Sequence, residues 1–153
     1  MEVSGTVFGE RGEGGFAKAA FRPVVLGDDD QVAIIAAGIT VHNANEACDE
    51  LQREGTSVRL IDAYSVKPID ADTLRLAAQA TGGRVVVVED HWPEGGLGEA
   101  TLSTLAEDGI ENLRFEHLAV NIMPGSGSPD ELMDAAGISG SHIADAVRRL
   151  LNQ

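Results

Sequence analysis

Four consecutive valines, Val85 to Val88, constrain the fold more than any other stretch of this chain. A strand of that composition has no polar face. It must be covered on both sides, which is the environment of a parallel sheet with helices above and below. The character of the chain then changes abruptly: Glu89, Asp90 and His91, then Trp92-Pro93-Glu94, then Gly95-Gly96-Leu97-Gly98-Glu99-Ala100. The pattern is a buried strand ending in a charged cluster, a glycine turn and a helix start. The cluster therefore emerges at the carboxyl end of a central strand, where open α/β sheets place the loops that meet ligands or partners.

At 153 residues the chain suits one domain with room for a substantial core. No apolar run approaches the roughly eighteen residues of a membrane span, and the amino terminus has no apolar segment of a signal peptide. The single cysteine, Cys48, cannot form an internal disulfide and fits a reducing cytosol, so a cytoplasmic location is expected. Net charge is −14, with acids spread along the chain. Such a surface repels phosphate backbones and anionic lipid, so neither nucleic acid nor membrane is an expected partner.

Residues 1–21 carry Gly5, Gly9, Gly12, Gly14 and Gly15 without helical or strand period, and read as a flexible leader or linker. The domain is expected over 22–153. Pro23 to Leu26 and Gln31 to Ala37 read as strands joined through Gly27-Asp28-Asp29-Asp30, which predicts an antiparallel hairpin with the first strand at the edge. Ala44, Ala47, Cys48 and Leu51 give one helical face within 41–54, and Ser57 to Ile61 is a strand. Asp70 caps a helix to Ala80, with Ile69 and Leu74 as a hydrophobic staple; losing that cap is expected to cost about 1 kcal/mol. After the valine strand (84–89), a helix over 96–107 should turn Leu102, Leu105 and Ala106 inward. Residues 114–120 form the last strand. Ser128-Pro129-Asp130-Glu131 combines a capping box with proline at the first helical position, and that short helix stops at Gly137. Ile143, Ala146, Val147 and Leu150 stripe the final helix. This alternation predicts a three-layer α/β fold, with a five-stranded mixed sheet of four parallel strands and one antiparallel edge strand.

Gly95-Gly96-x-Gly98 at a helix start could cradle a phosphate, because free N–H groups and the helix dipole point there. The acids Glu89, Asp90, Glu94 and Glu99 oppose that, and favour a tight turn against which a partner backbone comes close. His91 beside Glu89 and Asp90 could serve in metal binding or acid–base chemistry. Yet His42, His117 and His142 lie on separate elements, so a structural hydrogen-bond cluster is the better reading. Trp92 is either a lid on the core or an interface anchor. Cys48 lies on an apolar stripe and reads as an inert buried thiol.

Several strings, in this order and spacing, carry a resemblance. They are Asp30 to Gly38 with Ile39-Thr40-Val41-His42, then Val58 to Asp62, then Lys67-Pro68-Ile69-Asp70. Glu89-Asp90-His91, Gly95 to Ala100, His117 to Asn121 and Pro124-Gly125-Ser126-Gly127 complete the series. From about residue 24 to 151 the chain resembles the C-terminal domain of transketolase, in its shorter, animal-type branch; the likeness fades before Phe21. The resemblance implies a cytoplasmic, dimeric enzyme of the pentose phosphate pathway. That enzyme moves two-carbon ketol units between sugar phosphates with thiamine diphosphate and a divalent cation, magnesium or calcium. It also implies that this domain supplies no catalytic, cofactor or metal residue and is inactive alone. The G-D-G string of the family's metal site is absent, the nearest being Glu107-Asp108-Gly109. Expected partners are the cofactor-binding domains of the same enzyme, and Glu89, Asp90, His91, Trp92, Gly95, Gly96 and Gly98 form the candidate interface. Two other readings remain: a stand-alone anion-binding or regulatory module using the crevice near Gly38–His42 and His91–Gly98, and the small subunit of a split transketolase.

Overall fold

The residues Val32–Ala36 are buried along their whole length in the computed structural model, which describes residues 21–153. Around this strand, β2, the order is β1 (Arg22–Val25), β2, α1 (Thr40–Arg53), β3 (Val58–Asp62), α2 (Ala71–Ala80), β4 (Arg84–Val88), α3 (Leu97–Glu107), β5 (Arg114–Leu118), α4 (Pro129–Ala135) and α5 (Gly140–Leu151). The five-stranded sheet runs β1-β3-β2-β4-β5. Only β1 is antiparallel to its neighbour; the pairs β3–β2, β2–β4 and β4–β5 are parallel.

Alternation along the strands divides the core into two layers, because successive side chains point to opposite faces. Val32, Ile34, Ala36, Val86 and Val88 pack with α1 and α5, where Ala44, Ala47, Cys48, Leu51, Ile143, Ala146, Val147 and Leu150 close the layer as their stripes require. Ala33, Ile35, Val85 and Val87 face the other way, against Leu74, Ala77 and Ala78 of α2 and Leu97 and Leu105 of α3. Ile69 and Leu74 share this second layer, consistent with the expected staple. Ser128 and Glu131 form the reciprocal capping box of α4, with Pro129 in the first turn.

Two expectations are corrected. First, β1 keeps its edge position but pairs with β3, with Pro23 opposite Ile61, so there is no β1–β2 hairpin. Both edges of β2 are taken by parallel neighbours. The segment after β1 instead crosses the start of β3, held by Asp30: its carboxylate accepts from the Gly27 N–H (2.8 Å) and the Ser57 hydroxyl (2.7 Å), and Arg59 lies at 3.2 Å. Second, α3 buries Leu97, Thr101 and Leu105, while Leu102 (42% exposed) and Ala106 face solvent. The helix is rotated so that glycine and threonine approach the sheet closely. Elsewhere, element ends shift by one or two residues; Glu89 leaves the strand and the last strand stops at Leu118.

The expected leader falls outside the described residues except Phe21, which is buried against the α2–α3 layer. Its N–H donates to Asp70 Oδ2 (2.8 Å), so the packed unit includes Phe21. Asp70 also accepts from Thr73 N–H (3.0 Å) and the Thr73 hydroxyl (2.7 Å). Asp70 thus does more than cap a helix. Removing it also strands a buried N–H, so Asp70→Ala is expected to cost about 2–3 kcal/mol rather than 1. Leu150→Ala, from a fully buried position, should cost about 2–5 kcal/mol. Urea melts check both, and an Asp70 loss near 1 kcal/mol would mean that the Phe21 link adds nothing.

Candidate functional site

The loop from Glu89 to Gly98 is built around one buried carboxylate. Alternation places Glu89 on the same face as Val85 and Val87, above the start of α3, and it is 4% exposed. Its Oε2 accepts from the Leu97 N–H (2.6 Å) and its Oε1 from the Gly98 N–H (2.9 Å). These are the first amides of α3, otherwise without intrahelical partners, at the positive end of the helix dipole. Oε1 also meets His117 Nε2 at 2.6 Å, with the ring donating to the carboxylate. His117 reaches it because β4 and β5 pair in parallel, Val87 opposite His117.

The glycines follow from this geometry. A Cβ at Gly96 would overlap the Glu89 carboxylate, and one at Gly98 would overlap the His117 ring. The close approach expected of a partner backbone is made at these two positions by the chain's own side chains. Gly95 donates its N–H to Glu99. The other candidates point outward. Asp90, His91 and Trp92 are exposed, Trp92 at 47%, outside both core layers. The expected cluster of His91 with Glu89 is replaced by Glu89 with His117, while His91 Nδ1 lies 2.6 Å from the Trp92 carbonyl oxygen. The missed residue is His117. Its only sequence signal is that 85, 87 and 89 share a face of one strand and 115 and 117 a face of another; that the strands are neighbours is a tertiary fact.

At the start of α1, the other half of the crevice, three amides also have partners within the chain. Ala37 N–H donates to the Thr40 hydroxyl, Val41 N–H to the Gly38 carbonyl and His42 N–H to the Ile39 carbonyl. The Thr40 hydroxyl lies 3.0 Å from the Val88 carbonyl oxygen, tying α1 to β4. The helix end that would suit a diphosphate holds Glu89 instead, so the start of α3 does not fit the diphosphate of thiamine diphosphate. Among the described residues, no group of three or more His, Cys, Asp or Glu side chains is placed to hold a metal ion. None of their helices is long and apolar enough to cross a membrane.

A mixed sheet with one antiparallel edge strand, helices on both faces and a strand-end crevice closed by its own carboxylate defines a three-layer α/β domain. Comparison with known proteins supplies the family: the model described as "Transketolase, C-terminal domain" matches residues 23–143, and the chain belongs to that family. It is 46% identical over 123 residues to transketolase-like protein 1 of Bos taurus, covering 80% of this chain and 20% of that protein. It is 42% identical over 130 residues to Homo sapiens transketolase, covering 85% and 20%. The chain thus spans about a fifth of the length of these curated relatives. A split gene transketolase described as an inactive beta4 tetramer superposes with a TM-score of 0.76 at 34% identity, covering 86% of this chain and 42% of that one. Transketolase from Leishmania mexicana gives 0.64 at 25%, covering 86% and 18%.

Burial, followed by the nearby carboxylates of Asp49 and Asp30, pushes the Cys48 thiol from 9.0 up to about 12. Little thiolate is then present at neutral pH, and the sulfur is buried, so Cys48 should react with a disulfide reagent only after denaturation. Rapid labelling of the native chain would contradict its burial. For the loop, Glu89→Ala strands two buried amides and should cost roughly 3 kcal/mol or more. Gly98→Ala should cost about 3 kcal/mol through collision with His117. A Gly98→Ala protein that melts like wild type would mean that the ring does not rest there.

Proposed function

We propose that this chain is the C-terminal, assembly-supporting domain of a transketolase-like thiamine diphosphate enzyme that transfers two-carbon ketol units between sugar phosphates in the cytoplasm. Its partners are the cofactor-binding domains of that enzyme, on the same polypeptide or on another chain, within a homodimer or higher assembly. The domain itself supplies no catalytic residue, and its interface includes Asp90, His91 and Trp92 on the loop that Glu89, Gly95, Gly96 and Gly98 shape. The observation that carries this reading is the use of Glu89 as the internal anion of α3: the crevice where an α/β enzyme of this size would bind its ligand is spent on holding the loop. Membership of the family supports the rest. The cofactor itself, with its divalent cation, supplies the carbanion chemistry of ketol transfer elsewhere in the whole enzyme.

A split arrangement is favoured by one finding, the likeness to a transketolase whose gene is split. In that case this chain works as one subunit beside a chain holding the cofactor domains. The anion-binding module is the weaker reading, because the Leu97 and Gly98 amides at the start of α3 already donate to Glu89, and those of Ala37, Val41 and His42 have acceptors within the chain.

Calorimetric titration of the purified chain with thiamine diphosphate and magnesium should give no heat of binding, and a ketol-transfer assay no product. Adding a chain that carries the first two transketolase domains should produce activity. Micromolar cofactor binding by this chain alone would overturn the proposal.

A further inference from the structure

The turn between α4 and α5 gathers a serine, a histidine and a carboxylate that the assembly role does not use. Ser139 Oγ lies 2.7 Å from His142 Nδ1 and 2.9 Å from Asp134 Oδ1, and Asp134 Oδ1 lies 3.4 Å from His142 Nδ1. The Ser141 hydroxyl is 3.0 Å from Ser139 Oγ. Local sequence builds this cluster. Gly137, at a φ of 75°, ends α4; its N–H donates to the Asp134 carbonyl and the Ile138 N–H to the Met133 carbonyl, both at 3.0 Å. The turn carries Ser139 back to Asp134, and His142 falls beside it one helical turn on. Buried Ile138 and Gly140 flank the serine and fix its place. Asn43 Nδ2 of α1 donates to the Ile138 carbonyl (2.9 Å), and a Cβ at Gly140 would lie 3.1 Å from the Asn43 carbonyl oxygen.

Ser139 has the backbone position of an N-cap but its side chain caps no amide of α5; the hydroxyl is turned to the imidazole and the carboxylate instead. The amides of Gly140, Ser141 and His142 have no acceptor among the described residues, and the first intrahelical bond runs from the Ile143 N–H to the Ser139 carbonyl (3.1 Å). An unmade cap forgoes stability. It leaves together the parts of an acyl-transfer site: a hydroxyl against a base, and free amides at the positive end of a helix. Charge then selects the substrate. Asp134 and Asp145 are exposed, the Glu46 carboxylate lies against Gly140, and Arg148 is held by Glu50, Glu54 and Asp145. Anionic esters are repelled by such surroundings. The side chains of His142 and Asp134 are 42% and 65% exposed, so the cluster is open to solvent and suits a small ester with a reactive leaving group.

We propose that Ser139 and His142 form a nucleophile–base pair that hydrolyses small, uncharged acyl esters, an activity separate from ketol transfer. Ser139 Oγ attacks the ester carbonyl carbon while its proton passes to His142 Nδ1, and the amides at the start of α5 face the oxyanion. Asp134, beside Nδ1, steadies the imidazolium. The bond to the leaving alcohol breaks, and that alcohol takes the proton from the ring. Water, giving a proton to the same imidazole, then attacks the acyl-serine; carboxylic acid leaves and the serine hydroxyl is restored. The probe is p-nitrophenyl acetate, offered to the whole purified chain in mildly alkaline buffer. Ser139→Ala and His142→Ala should each lower the rate of p-nitrophenol release by about tenfold or more. Both should melt close to wild type, since Ser139 caps no amide. Mass spectrometry of briefly treated wild type should find the acetyl group on Ser139, and in Ser139→Cys on the same position. The monoanionic p-nitrophenyl hydrogen succinate should react several-fold more slowly than the acetate. A wild-type rate matched by either alanine variant overturns the proposal, as does an acetyl group found only on another residue or an equal rate for the anionic ester. The assembly role stands whichever result is obtained, because its test is the activity produced with the cofactor-domain chain.

Discussion

The buried Glu89 carboxylate holds three elements at one point. It sits at the end of β4, accepts the first amides of α3 and takes the imidazole of His117 from β5. A buried carboxylate is tolerated only where donors replace its water shell, and here two amides at a helix start and an imidazole do so. The requirement propagates outward. It excludes side chains at Gly96 and Gly98 and fixes where α3 begins. The chain between, Asp90 to Gly95, still pairs its His91 carbonyl with the Val120 N–H (2.9 Å) before turning into α3. Glu89 is buried and Trp92, three residues on, is exposed.

The same arrangement separates this domain from α/β domains that bind ligands at the same place. In those folds a glycine-rich turn leaves amides free to meet a phosphate at a helix start. This chain has the glycines and the helix but fills the site with its own anion, so the turn serves folding. The loop around it leaves Asp90, His91, Trp92 and Glu94 exposed. The core beneath provides a rigid base: β2 and β4 are covered on both faces by four helices, and α1 and α5 are further joined where Arg148 reaches Glu50 and Glu54.

Local signals are legible in the sequence because they repeat over short distances. The stripes of α1 and α5, the Asp70 cap and the Ser128–Glu131 box each depend on residues within one or two turns of each other. The sheet as a whole is legible too, since four valines without a polar face admit few alternatives. Strand neighbours set the features that sequence hides. The first strand pairs with β3 because both edges of β2 are already occupied, and nothing in Gly27 to Asp30 declares this. Asp30 has the sequence context of a turn residue and is instead a buried acceptor for the Gly27 N–H and the Ser57 hydroxyl, ion-paired with Arg59. In α3, hydrophobicity points Leu102 inward, but Thr101 faces the sheet, a tertiary preference that hydrophobicity alone misranks. At the site, the sequence singles out the carboxylate but suggests the wrong imidazole, because His91 is adjacent in sequence and His117 is adjacent in space.

Amide hydrogen exchange at Leu97 and Gly98, followed by NMR in the native chain, tests the organising role of Glu89 most directly. Amides in the first turn of a helix have no intrahelical acceptor and exchange quickly unless something else holds them. Both amides should be protected to an extent approaching the interior amides of β4, and Glu89→Gln should reduce this protection while neighbouring helices keep theirs. Exchange of Leu97 and Gly98 at the rate of an open loop would contradict that role, for then Glu89 would not be the group that organises this end of the sheet.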